Sequence, residues 1–169
     1  AVPVLPGFST PEIQNILEHS EAKIIFVSKL LYKLIASIKT NFLEQKILMN
    51  TFARIPENFP AEEIEKLENN IDLNNPAPLP EIQIEEEDTA SIIYTSGTTG
   101  FSKGVELTHR NLVWDARQCA TIQPVCTEDR FLSILPLAHT YENTLGLLLP
   151  VMFGAQIYYL DRVPTPKLL

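Results

Sequence analysis

Apolar positions along the first fifty residues alternate between two periods. Over residues 10–20 they fall at Ile13, Ile16 and Leu17, one face of a 3.6-residue repeat. That spacing predicts a helix. Thr10 stands at the N-cap position, Pro11 at the first helical position, and Glu12 beside the positive end of the dipole. Lys23–Val27 is a short β-branched run and reads as a strand. Leu30, Leu31, Leu34, Ile35 and Ile38 predict a second helix over 29–38, and Lys46–Met49 a second strand. Helix alternating with buried strand predicts an α/β fold, with a mainly parallel sheet flanked by helices.

The pattern breaks between Pro56 and Asp88. This stretch is rich in Glu, Asn and Pro and offers one helix, Ala61–Asn69. It reads as a surface connection. The run Glu85–Asp88 reads as a solvated lead-in to a strand rather than a metal site. Periodicity then returns. Ala90–Tyr94 is a strand, and Thr108 caps a helix through about Ala120 that carries Trp114, expected in the core. Arg130–Leu135 is a strand ending at Pro136, and Tyr141–Phe153 is helical despite Pro150. Gly154 closes that helix, and Ala155–Leu160 is a strand. The layout predicted is a first α/β segment over 1–55, an acidic connection over 56–88, and a third segment over 89–169.

Composition changes this picture little. The chain has 169 residues, 45% hydrophobic and 20% charged, as a soluble globular protein does. A formal charge of -8 argues against nucleic acid as a partner, because phosphate backbones require clustered Lys and Arg. It does not argue against a nucleotide held by short-range donors. Cys119 and Cys126 fit neither a zinc pair nor a Cys-x-x-Cys redox site and read as reduced cysteines of a cytoplasmic protein. The apolar stretch Leu145–Phe153 is too short to span a bilayer. The chain begins without Met and ends after Val-Pro-Thr-Pro, which predicts a fragment of a longer protein.

The chemistry concentrates in Tyr94-Thr-Ser-Gly-Thr-Thr-Gly-Phe-Ser-Lys-Gly104, dense in Gly, Ser and Thr with one lysine. Glycines allow tight turns and close approach to an anion. Hydroxyls and free N–H groups donate to it, and Lys103 brings positive charge. The segment predicts a polyphosphate cradle. It is not a Walker A loop: counting from Gly97, the sixth position is Ser102, and Lys103 is followed by Gly104 rather than Ser or Thr. Nor is it the dinucleotide G-x-G-x-x-G pattern, since Gly97 and Gly100 stand three apart.

Tyr-Thr-Ser-Gly-Thr-Thr-Gly-x-x-Lys-Gly-Val, followed by Leu107-Thr-His-Arg-Asn-Leu112, resembles the signature loop of the adenylate-forming enzymes. These include acyl-CoA synthetases, nonribosomal peptide synthetase adenylation domains and luciferases. Ser102 replaces the proline most members carry before the lysine, which removes no donor. A second block, Leu135-Pro-Leu-Ala-His139-Thr-Tyr-Glu142, with the later Gly-Ala-Gln-Ile-Tyr-Tyr, is similar to the acyl-pocket motif of long-chain fatty acid–CoA ligases. The N-terminal Ala1–Gly7 and His19–Val27 stretches resemble the same group.

The resemblance implies part of the large N-terminal domain of an enzyme that joins a long-chain fatty acid to coenzyme A. ATP is the co-substrate, Mg²⁺ the metal, and an acyl-adenylate the intermediate. It implies that Thr95, Ser96, Gly97, Thr98, Thr99, Gly100, Lys103 and Gly104 hold the phosphates, with Thr95 near Mg²⁺. His139, Thr140, Tyr141 and Glu142 would line the acyl pocket. His139 also fits a helix-start histidine satisfied by backbone, and Glu142 fits either an orienting group or a cap. Asn143 stands where some members carry a tryptophan gate, so no gate is assigned. The family's adenine-binding segment, the Glu that helps hold Mg²⁺, the ribose-binding Asp, the hinge and the catalytic lysine lie further along its chains, so no catalytic residue is expected here and no synthetase activity from these residues alone. The implied location is cytoplasmic, with peripheral membrane contact open to the parent. An amino-acid-activating domain and a non-catalytic phosphate-binding or interaction module are the alternative readings.

Overall fold

The structure is a computed structural model that describes residues 1–68, 78, 80–95 and 103–160. Two compact units divide the chain. One is Pro6–Gln83, and the other joins Ala1–Leu5 to Ile84–Leu169.

In the first unit, α1 covers Thr10–His19 and buries Ile13, Ile16 and Leu17, as its spacing predicts. Its N-cap is Ser9 rather than Thr10. The Glu12 carboxylate accepts from the Ser9 N–H at 2.7 Å and from the Ser9 hydroxyl at 2.6 Å, while the Thr10 hydroxyl donates to the Leu34 carbonyl. Strand β1, Ile24–Val27, pairs parallel with β2, Gln45–Leu48. A short strand absent from the sequence reading, β3 at Arg54–Ile55, pairs antiparallel with β2.

The helix predicted over 29–38 is shorter. A 3₁₀ turn, Lys29–Leu31, leads into one α-turn, α2, at Tyr32–Ile35. The Lys46 ammonium ends it by donating to the carbonyls of Ile35, Ala36 and Ile38 at 2.8, 3.0 and 2.9 Å. Desolvation there, with repulsion from Lys39, lowers the Lys46 pKa from its ordinary value. The helix predicted at Ala61–Asn69 is a 3₁₀ helix over Ala61–Lys66, with Ile64 buried, and Asn69 lies outside the described residues. The Tyr32 hydroxyl donates to the Phe59 carbonyl at 2.9 Å.

In the second unit, β4 at Thr89–Thr95 and β5 at Lys103–Thr108 form an antiparallel hairpin. Helix α3, His109–Ile122, follows at once. The Thr108 hydroxyl accepts from the Asn111 N–H at 3.2 Å, and the Asn111 side chain accepts from the Thr108 N–H at 3.0 Å. The acidic run sits against this helix start, where Glu86 and Glu87 pair with Arg110 at 3.2 and 2.7 Å. Strands β6, Arg130–Ser133, and β7, Gln156–Tyr159, pair parallel. Pairings in the α/β fold are thus divided between parallel and antiparallel.

Between β6 and β7 runs a helix whose middle, Glu142–Leu148, is π-helical, with the Leu149 N–H donating five residues back to Thr144. It passes into α4, Leu149–Phe153, and ends at Gly154, whose φ of 73° is the left-handed cap expected there. Pro150 stands in the first turn of α4, a helical position where proline's missing N–H is tolerated.

Candidate active site

The hairpin fixes the geometry of the phosphate-loop candidates. Thr95, the last residue of β4, lies directly opposite Lys103, the first of β5. Cross-strand partners project to the same face, so hydroxyl and ammonium flank the two ends of the 96–102 stretch. Both residues are exposed. Ser96, Gly97, Thr98, Thr99 and Gly100 lie outside the described residues.

Gly104 faces Tyr94 in the register. A Cβ there would lie 3.0 Å from the Ile92 side chain and 3.2 Å from the Tyr94 ring. The glycine therefore makes room for a buried tyrosine. That packing requirement stands beside any need for backbone to approach an anion. The Thr89 hydroxyl donates to Glu106 on the neighbouring strand, tying the far end of the hairpin.

Helix α3 connects the hairpin to the second motif. It packs against β4, β5 and the π-helical segment. Its C-terminal half, with β6 and the π-helix, borders an open apolar cavity of about 420 Å³. Ile122, Val125, Phe131, Leu132, Leu145 and Leu149 line it, together with Tyr141 and Glu142. Its N-terminal half borders another cavity of about 510 Å³, with Ile93, Leu107, Arg110, Trp114, Thr140 and Thr144 in its wall. Consecutive motif residues thus separate: Thr140 faces the hairpin side, and Tyr141 and Glu142 face the apolar cavity. His139 is exposed and lines neither. Trp114, expected in the core, is 63% exposed. It sits on the α3 face turned from Ala116, the helix's buried residue.

The motif is held from behind. Glu142 is only 5% exposed, and its Oε2 accepts from the Leu135 N–H at 3.4 Å, long for such a bond. Its Oε1 is buried without a partner among the described residues. The side chain folds over Gly146, where a Cβ would come within 2.2 Å of Oε1. The Asn143 amide donates to the Leu137 carbonyl at 3.2 Å. The His139 N–H closes a turn onto Pro136, and the Asn143 N–H bonds the His139 carbonyl. Gly146 and Asn143 went unremarked in these roles from sequence. The available signal was a glycine one turn after an acid, on a shared helical face.

Among the described residues no three His, Cys, Asp or Glu side chains group to hold a metal. The Thr95 hydroxyl is an oxygen donor of the kind Mg²⁺ takes, an ion that commonly completes its shell with phosphate oxygens and water. No helix among the described residues is long and apolar enough to cross a membrane. Cys119 and Cys126 are not disulfide-bonded, and a hydrogen bond with Glu128 raises the Cys126 thiol pKa.

A family model described as AMP-binding enzyme matches residues 1–169. The chain is 44% identical over 71 residues to long chain acyl-CoA synthetase 6, peroxisomal, of Arabidopsis thaliana, covering 42% of this chain and 10% of that protein. It is 29% identical over 168 residues to 4-coumarate-CoA ligase 1 of Narcissus pseudonarcissus, covering 97% of this chain and 29% of that one. The crystal structure of the anthranilate CoA ligase AuaEII in complex with anthranoyl-AMP superposes with a TM-score of 0.76 at 24% identity, over 99% of this chain and 31% of that one. The chain therefore spans less than a third of the length of each of these proteins.

Proposed function

The chain belongs to the AMP-binding enzyme family, and from that premise we propose that it supplies the phosphate loop and acid pocket of an ATP-dependent long-chain fatty acid–CoA ligase. The observation that carries this reading is the pairing of Thr95 with Lys103 across the 96–102 stretch, in the same unit as an open apolar cavity. One end suits a polyphosphate and the other an apolar acid.

In the reaction proposed, a carboxylate oxygen of the acid bonds to the α-phosphorus of ATP, and pyrophosphate leaves with the electrons of the broken P–O bond. The thiolate of coenzyme A then attacks the acyl carbonyl, and AMP leaves. The residues of this chain contribute positioning and charge rather than a nucleophile. Lys103 offsets charge on the β- and γ-phosphates, and Thr95 would offer a hydroxyl to them and to Mg²⁺, which would supply further charge neutralisation. Residues 96–100 would supply backbone donors. Tyr141 and the walls of the 420 Å³ cavity take the acid's apolar part.

The lining favours a fatty acid over an amino acid. An α-amino group needs polar partners close by, and most of the lining side chains, Ile122, Val125, Phe131, Leu132, Leu145 and Leu149, are apolar. The cytoplasm is the location this reading suits.

ATP–pyrophosphate exchange by the full-length protein containing this chain tests the proposal. Exchange driven by long-chain fatty acids, and lowered about 100-fold by Lys103→Ala, is expected. Exchange driven by amino acids or hydroxycinnamates instead would overturn the substrate class. Binding of ATP with no acid-dependent exchange would leave a phosphate-binding module. Residues 1–169 alone, matching 31% of the solved anthranilate ligase, are expected to form no acyl-CoA.

A further inference from the structure

We propose that Glu142 and Asn143 are a pair of positioning residues that aim the His139 loop. Both reach back from the first turn of one helix to the segment carrying His139. Glu142 accepts from the Leu135 N–H and Asn143 donates to the Leu137 carbonyl, so a donor and an acceptor two residues apart are both held. The His139–Pro136 turn and the Asn143–His139 backbone bond close the segment at its other end. Few conformations remain to it.

Two further observations make this more than a helix cap. Burying a carboxylate is costly, and Glu142 is 5% exposed with one oxygen unpartnered among the described residues. A site needing only volume would carry an apolar residue. The backbone is also built around that side chain. Gly146 is the residue whose Cβ would collide with it, at 2.2 Å from Oε1 and 2.6 Å from Cδ. Both residues lie in the π-helical segment, a helical form concentrated at functional sites. Asn143 is thereby given a role: its amide is spent on Leu137 and does not project as a gate on chain length.

The inference rests on the functional reading above, in which the His139 segment borders the reacting acid. Its structural half is tested without that reading, by hydrogen exchange at the Leu135 amide in the chain itself. Glu142→Ala should remove protection there, and Glu142→Gln, which keeps an acceptor, should retain it. Unchanged protection in the alanine variant overturns the clamp.

The functional half is tested in the full-length protein by acid-dependent pyrophosphate exchange. A misaimed loop is expected to lower kcat about 10- to 100-fold with little change in KM for ATP. Glutamine should recover most of the loss. His139→Ala combined with Glu142→Ala should be no worse than His139→Ala alone, because the two act through one element. Additive losses overturn the positioning role while leaving the ligase reading in place. Absence of acid-dependent exchange in the unmodified protein refutes both.

Discussion

The two compact units differ in what they bury. In Pro6–Gln83 the residues buried among those described are apolar, from α1 and α2 as well as from Val27, Leu48 and Ile55 of the sheet. The unit carrying the candidate site buries fewer among its described apolar residues: Ile93, Tyr94, Ala116, Leu149 and Pro150. It also holds the buried residues Ser91, Ser133 and Glu142, whereas in the other unit the Ser20 hydroxyl is buried on a part-exposed residue. Dense apolar packing makes a scaffold. Polar groups placed beside open apolar walls make a site, at a cost in stability.

Cavity-forming substitutions should show this difference most strongly. Leu48 is fully buried, so Leu48→Ala removes contacts on all sides and leaves a void. It is expected to cost about 2–5 kcal/mol. Leu149 already borders the 420 Å³ cavity, so Leu149→Ala enlarges an existing space. Its cost should approach the transfer term alone, about 2 kcal/mol. Urea unfolding, with hydrogen exchange read separately in each unit, gives both numbers. Equal losses would mean that the site unit is as tightly packed as its neighbour.

A smaller effect separates packing from ligand binding inside the site unit. Gly104→Ala would set a methyl against Ile92 and the Tyr94 ring, each of which must yield by a few tenths of an ångström. The expected cost is about 1–3 kcal/mol, the same with and without ATP. Thermal unfolding at both conditions measures it. If stability held and only ATP affinity fell, Gly104 would belong to the phosphate cradle rather than to the core.

The same contrast governs what was legible in the sequence. Elements of the packed unit follow from spacing: Ile13, Ile16 and Leu17 bury one helical face because a period of 3.6 leaves no alternative. Errors arose where a distant group overrode local preference. The apolar pattern at Leu34, Ile35 and Ile38 reads as helix, but the Lys46 ammonium, from the next strand, takes the carbonyls that further turns would need. β3 escaped because two residues carry no period. In the site unit, the Gly/Thr-rich loop is visible because its composition is its chemistry. The Glu142–Gly146 pairing is visible only as an acid and a glycine four apart, because a π-turn leaves no mark on hydrophobic periodicity. Trp114 was misplaced for a related reason: size and apolarity argue for burial, yet helix rotation turns it outward.

The smallest predicted effect lies on the surface of the packed unit and tests where its stability comes from. The Glu12 carboxylate is bonded by the Ser9 hydroxyl and then by the Ser9 N–H, and both lower its pKa. The charged form is therefore the one favoured on folding. Its contribution is fully present above the unfolded value, about 4.3, and is lost as pH falls through the lowered folded value. Glu12→Gln should flatten that part of the acid unfolding curve of α1 and change little at neutral pH. The group is fully solvent-exposed, so screening keeps the effect below those of Leu48→Ala and Gly104→Ala. An acid midpoint for α1 that shifts in the Gln variant as much as Leu48→Ala shifts the neutral stability would place the unit's strength in its capping box. The expected small shift places it in the apolar core, which is larger here than in the site unit.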